Sequence, residues 1–163
     1  DKGAAAQYFN AIRRRKAVVQ QANVKIEKAK ELIADHPDEK ILVFSGVNSF
    51  TDKMAEALGG LPYHSKHTKK VREATLSHFR DGSNNVLCST QALNQGFDVP
   101  DASVGVIAGL TSKALPMIQR VGRLLRLSTP DKIGKIYIMY IKDSQEEKWL
   151  RNSVKSLNNI KWL

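Results

Sequence analysis

Apolar positions along the chain alternate between two kinds of pattern. "ILVFS" (41 to 45), "LPYHS" (61 to 65), "NVLCST" (85 to 90), "ASVGVIAGL" (102 to 110) and "GKIYIMYI" (134 to 141) are short runs of the length and composition that buried parallel strands use. Between them lie helical segments. "SFTDKMAEALGG" has Ser49 and Asp52 suited to a helix start and Gly59 and Gly60 to a stop, and "TKKVREATLSHFRDG", "MIQRVGRLLRL" and "SQEEKWLRNSVKSLNN" follow in turn. Residues 4 to 36 contain no glycine or proline and read as one long helix or two in series, ended by Pro37. Strands alternating with helices predict an α/β domain with a mostly parallel sheet, preceded by a long helical segment over 1 to 37.

The helix predicted over Met117 to Leu127 carries three arginines and a glycine. At about 100° per residue, Gln119, Arg123 and Arg126 share one narrow arc, while Met117, Ile118, Val121, Leu124 and Leu125 fall on the opposite side. Gly122 lies between them and costs the helix about 1 kcal/mol relative to alanine, which suggests close approach by a backbone or a ligand. A solvated arginine face with an incidental glycine is the other reading of this segment.

In a parallel α/β sheet, ligands gather at the carboxyl ends of the strands. The segments expected there are "SGVNS", "HSKHT", "STQALNQGFDVPD" and "GLTSKA". The third is the most unusual, with a hydroxyl pair at a strand end, Gly96, and then Asp98 framed by Phe97 and Val99. Asp98 either accepts hydrogen bonds from a ligand hydroxyl or caps amides of its own turn.

With 163 residues and 42% apolar content, the chain suits one domain with a real core, spanning 1 to 163. No apolar run approaches the roughly 20 residues that span a bilayer, and no secretory pattern opens the sequence. A soluble protein with no membrane partner is expected, cytoplasmic or, in a eukaryote, nuclear. Cys88 is the single cysteine, so no internal disulfide forms, and four scattered histidines give no metal-ligand spacing; no metal site is expected. The net charge of +10 favours a polyanionic partner such as nucleic acid. A start at Asp1 without methionine suggests a piece of a longer protein.

Taken together, "ILVFSGVNSFTDKMAEAL", "HSKHTKKVREATLSHFRDGSNNVLCSTQALNQGFDVPD" and "IQRVGRLLR" resemble motifs IV, V and VI of superfamily 2 helicases, in order and at familiar separations. The resemblance is to the second, C-terminal RecA-like domain and covers residues 41 to 141. The flanks "RRRKAVVQQANVKIEKAKELI" and "DSQEEKWLRNSVK" resemble the branch of phage, bacterial and XPB-like DNA helicases and restriction-enzyme translocases.

The resemblance implies a three-layer RecA-like fold, and ATP with Mg2+ bound in a cleft between two such domains. It implies that Arg123 and Arg126 act as arginine fingers on the γ-phosphate and that Gln119 orients the phosphate or the attacking water. Gly96 and Asp98 would meet the ribose or couple the nucleotide to the bound strand. Nucleic acid would be held by Ser45 and Gly46, by Thr68 and Arg72, and by Ser89 and Thr90, through phosphate contacts that read no sequence. Lys66, Lys69 and Lys70 either add to that binding or form a solvated face.

Two positions depart from the commonest pattern. Ser65 stands where glycine often follows the motif histidine, and Gln119 replaces the histidine of DEAD-box proteins, which favours DNA over RNA. The chain has no G-x-x-x-x-G-K-[ST] loop and no acidic pair ending a strand. Both, with the Mg2+ ligands, are expected in a missing N-terminal RecA-like domain, so the isolated chain is expected to be inactive. The "RRRKAVVQQANVK" helix is read either as the connection from that domain, packed across this one, or as an amphipathic core helix. The rival functions are an RNA helicase domain and a non-catalytic nucleic-acid-binding module that keeps the fold.

Overall fold

The computed structural model describes residues 2–90, 102–125 and 133–163. The lead-in is two helices, α1 (Lys2–Gln20) and α2 (Asn23–Ala34), separated at Gln21 and Ala22, where Ala22 takes extended backbone. There follow β1 (Lys40–Phe44), α3 (Asn48–Leu58), β2 (Leu61–Tyr63), α4 (Lys69–Arg80) and β3 (Val86–Ser89). β4 (Ala102–Ile107), α5 (Ala114–Leu124), β5 (Lys135–Ile138) and α6 (Gln145–Ser153) complete the sequence, with a 3-10 turn at Val154–Ser156. All four strand pairings are parallel and the sheet order is β2-β3-β1-β4-β5. The expected mostly parallel α/β architecture is therefore found.

Side chains alternate across each strand, and both faces of the sheet are covered. Ile41 and Val43 of β1 point to a core filled by Ile26, Ala29 and Leu32 of α2 and Phe50, Met54 and Ala55 of α3. Leu42 and Phe44 point the other way, to Phe79 of α4, Ala114, Ile118 and Val121 of α5, and Leu150 of α6. Burial of this apolar surface, at about 25 cal/mol per Å2, is the main force holding the three layers together. α5 lies directly on β4 because Gly105 offers no side chain: a Cβ there would come within 2.7 Å of Val121 Cγ1. α3 ends on Gly59, whose φ of 63° suits glycine, and starts at Asn48 after a Val47 that supplies no side-chain cap. Ser49 thus lies inside α3 and does not precede it.

Two expectations need correction. The basic helix α1 is not a core helix: Tyr8, Phe9, Ile12 and Val18 are exposed, and it packs on the domain through its C-terminal end, where Lys16 Nζ lies 5.4 Å from the centroid of the Trp149 ring and Gln20 is buried. The four consecutive basic residues Arg13 to Lys16 interrupt its apolar stripe. The arginine helix is shorter than expected. α5 ends at Leu124, and Leu125 turns to extended backbone, so that its side chain packs where a Cβ on Gly134 would stand at 3.4 Å. The helical repeat that would align Arg126 with Gln119 and Arg123 therefore stops before reaching it, and Arg126 lies outside the described residues.

A buried ion pair joins the layers at the carboxyl edge of the sheet. Lys25 of α2 and Glu146 of α6 are 2% and 1% exposed, with Lys25 Nζ 2.7 Å and 2.8 Å from the two carboxylate oxygens. Lys25 also donates to the Ala108 carbonyl at 2.7 Å, and Glu146 accepts from the amides of Leu110 and Ile141 at 3.3 Å and 3.2 Å. Gln20 donates to the Leu110 carbonyl at 2.8 Å. Burial pushes the Lys25 ammonium below its ordinary pKa, opposed by the hydrogen bond and charge of Glu146. Removing one partner leaves a buried charge uncompensated, a loss of about 3–5 kcal/mol in such settings.

Lys25→Met and Glu146→Leu should each lower unfolding free energy by about that amount in denaturant titrations. The double variant should recover part of the loss, since no charge is then stranded but the Leu110 and Ile141 amides and the Ala108 carbonyl lose their side-chain partners. Strict additivity of the two single losses would contradict this role of the pair.

Candidate functional site

Because all five strands are parallel, their carboxyl ends share one edge. At its centre, β1 is followed by Ser45 and Gly46, and Gly46 has a φ of 80° with nothing near where its Cβ would stand. The turn needs glycine for its backbone conformation. The Ser45 and Thr51 hydroxyls lie 2.5 Å apart, each is within hydrogen-bonding distance of the Val47 carbonyl at 3.1 Å and 3.0 Å, and Thr51 can donate its one proton either there or to the Thr90 hydroxyl 2.8 Å away. Thr90 in turn donates to Asn48 Oδ1 at 2.7 Å. The Ser45 and Gly46 amides are bonded to the Ser89 and Thr90 carbonyls, which fastens the end of β1 to that of β3.

The structure thus brings four of the expected nucleic-acid residues together: Ser45, Gly46, Ser89 and Thr90. Ser45 and Ser89 are buried, Thr90 is half-buried and Gly46 is exposed. Thr68 and Arg72 form a second group at the start of α4. Thr68 is exposed and caps that helix by accepting from the Val71 amide at 3.3 Å. Arg72 donates to the carbonyls of His67 and Ser65 at 3.0 Å and 3.4 Å, which holds the loop before α4 in shape. Lys66, Lys69 and Lys70 are exposed around it.

On the other side of β1, α5 buries Ala114, Ile118 and Val121 and leaves Gln119, Gly122 and Arg123 exposed. Gln119 and Arg123 are one turn apart on one face. Among the described residues, the one neighbour a Cβ on Gly122 would meet within 4 Å is Ile136 Cδ1, at 3.7 Å, an ordinary van der Waals distance. No close packing against the described residues therefore demands glycine there. Gly96 and Asp98 lie outside the described residues.

Sequence reasoning missed a further cluster. Asp52 on α3, His64 after β2 and His67 before α4 place one donor atom each within 4.8 Å of one another. His64 and His67 are three residues apart, a spacing the sequence shows plainly, but their carboxylate comes from a different helix and carries no local signal. Cys88, by contrast, is core: burial pushes its thiol up to about 12, which makes it unreactive.

A family model described as the helicase conserved C-terminal domain matches residues 24–128. The chain is 32% identical over 102 residues to the DNA 3'-5' translocase XPB2 of Sulfurisphaera tokodaii, covering 63% of this chain and 23% of that protein. It is 25% identical over 114 residues to the ATP-dependent rRNA helicase RRP3 of Coccidioides immitis, covering 67% of this chain and 24% of that one. Among solved structures it resembles the Hef helicase domain of Pyrococcus furiosus, with a TM-score of 0.60 and 26% identity over 79% of this chain and 28% of that one. The chain spans about a quarter of the length of the curated relatives it matches. Five parallel strands, helices on both faces and the family match lead to one conclusion: the chain belongs to the helicase conserved C-terminal domain family, as a RecA-like C-terminal domain of the superfamily 2 helicases.

Proposed function

We propose that the chain is the second ATP-cleft domain of an ATP-dependent DNA helicase or translocase, completed by an N-terminal RecA-like domain of the same protein. The observation that carries this reading is the outward face of α5. A helix anchored to the sheet by Ile118 and Val121 presents Gln119 and Arg123 outward, with an exposed glycine between them. An arginine finger needs a planar fork of donors on a rigid element, free of partners in its own domain. Among the described residues, no hydrogen bond or ion pair holds the Arg123 side chain.

ATP with Mg2+, bound against the first domain, supplies the phosphoryl group to be transferred. The donor set here fits its triphosphate: Arg123 would stabilise charge developing on the γ-phosphoryl oxygens, and Gln119 would orient the phosphate or the water. Arg126 as a second finger, and Gly96 and Asp98 at the ribose, belong to the proposal on the strength of the motif resemblance. Nucleic acid would cross the carboxyl edge, contacting the backbone turn at Gly46, the start of α3, Thr90, and Thr68 at the start of α4. The buried hydroxyl of Ser45 would act by holding that turn in shape. Ser89 would act from the end of β3, and Arg72 by fixing the loop before α4. The likeness to a DNA translocase and Gln119 in motif VI support DNA; the likeness to an rRNA helicase keeps RNA as the second reading. Stimulation of the intact protein's ATPase by one nucleic acid and not the other separates them.

In the intact protein, Arg123→Ala should lower nucleic-acid-stimulated ATP turnover by roughly a hundredfold or more, with little change in melting temperature or nucleic-acid affinity. Arg123→Lys should rescue poorly, and Arg80→Ala on α4 should have a much smaller effect. Turnover near normal in Arg123→Ala would return this helix face to solvent.

Gly122→Ala makes the complementary test. In the isolated chain it should raise stability by about 0.5–1 kcal/mol, since helix propensity improves and the new methyl meets only an ordinary contact. In the intact protein the same methyl should depress ATP turnover, because the clearance it removes faces the other domain and the nucleotide. Gain in stability with unchanged turnover would show that the glycine serves no approach.

A further inference from the structure

We infer that Asp52, His64 and His67 form a binding site for one divalent first-row transition ion of the Zn2+ class. This cluster stands apart from the helicase reading and does not depend on it. His64 Nε2 lies 2.8 Å from Asp52 Oδ1, and His67 Nε2 lies 3.9 Å from the same oxygen. The two imidazole rings are tilted by 33° to each other with centroids 3.9 Å apart. Ligands around a tetrahedral Zn2+, bound at about 2.0–2.2 Å, stand roughly 3.3 Å from each other, and the three side chains place one donor atom each within 4.8 Å of one another, so movements of about 1–1.5 Å bring them to an ion.

A second observation points the same way. The side chain of His64 is 3% exposed, yet its Nδ1 and that of His67 are buried with no hydrogen-bond partner among the described residues. Buried polar atoms are paired in the great majority of cases, so two orphans side by side mark a cluster that the described residues do not complete. One carboxylate oxygen faces both imidazoles, hydrogen-bonded to His64 and 3.9 Å from His67.

The backbone around the cluster is fixed in advance. The His67 amide donates to the His64 carbonyl at 3.1 Å, Arg72 holds the Ser65 and His67 carbonyls, and Thr68 caps α4. A short loop pinned in this way loses little freedom on taking up an ion. Asp52 is half exposed, which leaves a path for entry and a fourth position for water or another oxygen ligand. Two nitrogens and one oxygen suit Zn2+, Co2+ or Ni2+, whereas Mg2+ takes oxygen ligands in octahedral geometry. This site is therefore chemically separate from any Mg2+ that accompanies ATP. An ion here would clasp α3 to the loop before α4, one residue along from Thr51 of the hydroxyl chain.

The test is titration of the metal-stripped chain with Zn2+ by calorimetry and with Co2+ by visible absorption. One ion per chain is expected, with a four-coordinate Co2+ spectrum, a higher melting temperature and no displacement by excess Mg2+. Asp52→Asn, which alters an exposed side chain, and His67→Ala should each weaken Zn2+ binding by about tenfold or more, while His78→Ala on α4 should not. No uptake by the parent chain would overturn the inference. Equal uptake by Asp52→Asn and His67→Ala would also overturn it, as the sign of an adventitious ion only.

Discussion

The pairing of Lys25 with Glu146 constrains the rest of this molecule more than any other polar contact among the described residues. Lys25 belongs to a helix on one face of the sheet and Glu146 to a helix on the other, and they meet over the carboxyl end of β4. An apolar core would hold each helix against the sheet but is tolerant of sliding. A buried pair with defined donors and acceptors is not, because a small displacement leaves charge without a partner in a medium that cannot solvate it. The pair also sets the path of the chain from β4 into α5, since Ala108 and Leu110 are among its partners. Through that path it positions the helix on which Gln119 and Arg123 stand.

The polar groups at the carboxyl edge divide by direction. Ser45, Thr51 and Thr90 bond to one another and to nearby carbonyls, and so give the edge its shape. Gln119 and Arg123 face outward from a helix packed as tightly on β4 as Gly105 allows. Rigid support beneath an exposed guanidinium is what a group acting on a ligand of another domain requires, since any freedom in the helix would have to be lost at the moment of reaction.

Much of the fold was legible in the sequence because its strands are buried on both faces and read as short apolar runs between helical segments with glycine or proline at their ends. "ILVFS", "NVLCST" and "ASVGVIAGL" each proved to hold a strand. What escaped had no local signature. Two helices in series was one of the two readings of residues 4 to 36, but the position of the break at Gln21 and Ala22, which are good helix residues, had no local mark; it lies between Gln20 and Lys25, whose side chains bond to the distant Leu110 and Ala108 carbonyls. Lys25 itself sits in a run of charges, "VKIEKAKE", that reads as a solvated face; nothing in it tells which lysine is buried. The end of α5 at Leu124 follows from the fit of Leu125 against Gly134, a contact made across the fold. The meeting of Asp52 with His64 and His67 likewise depends on how α3 lies beside β2. Of the candidate site, the outward face of α5 was legible from periodicity as far as Arg123, whereas the inward engagement of Ser45 required the structure.

The central claim is that the buried pair holds α5 in place, and native-state hydrogen exchange resolved by residue tests it most directly. In Glu146→Gln, amides over 108–124 and 141–150 should exchange faster through a local opening, while those of β1 and β3 keep their protection until global unfolding. If protection over 114–124 falls only in step with that of β1 and β3, or does not change, then the pair adds stability without positioning the helix, which contradicts the claim.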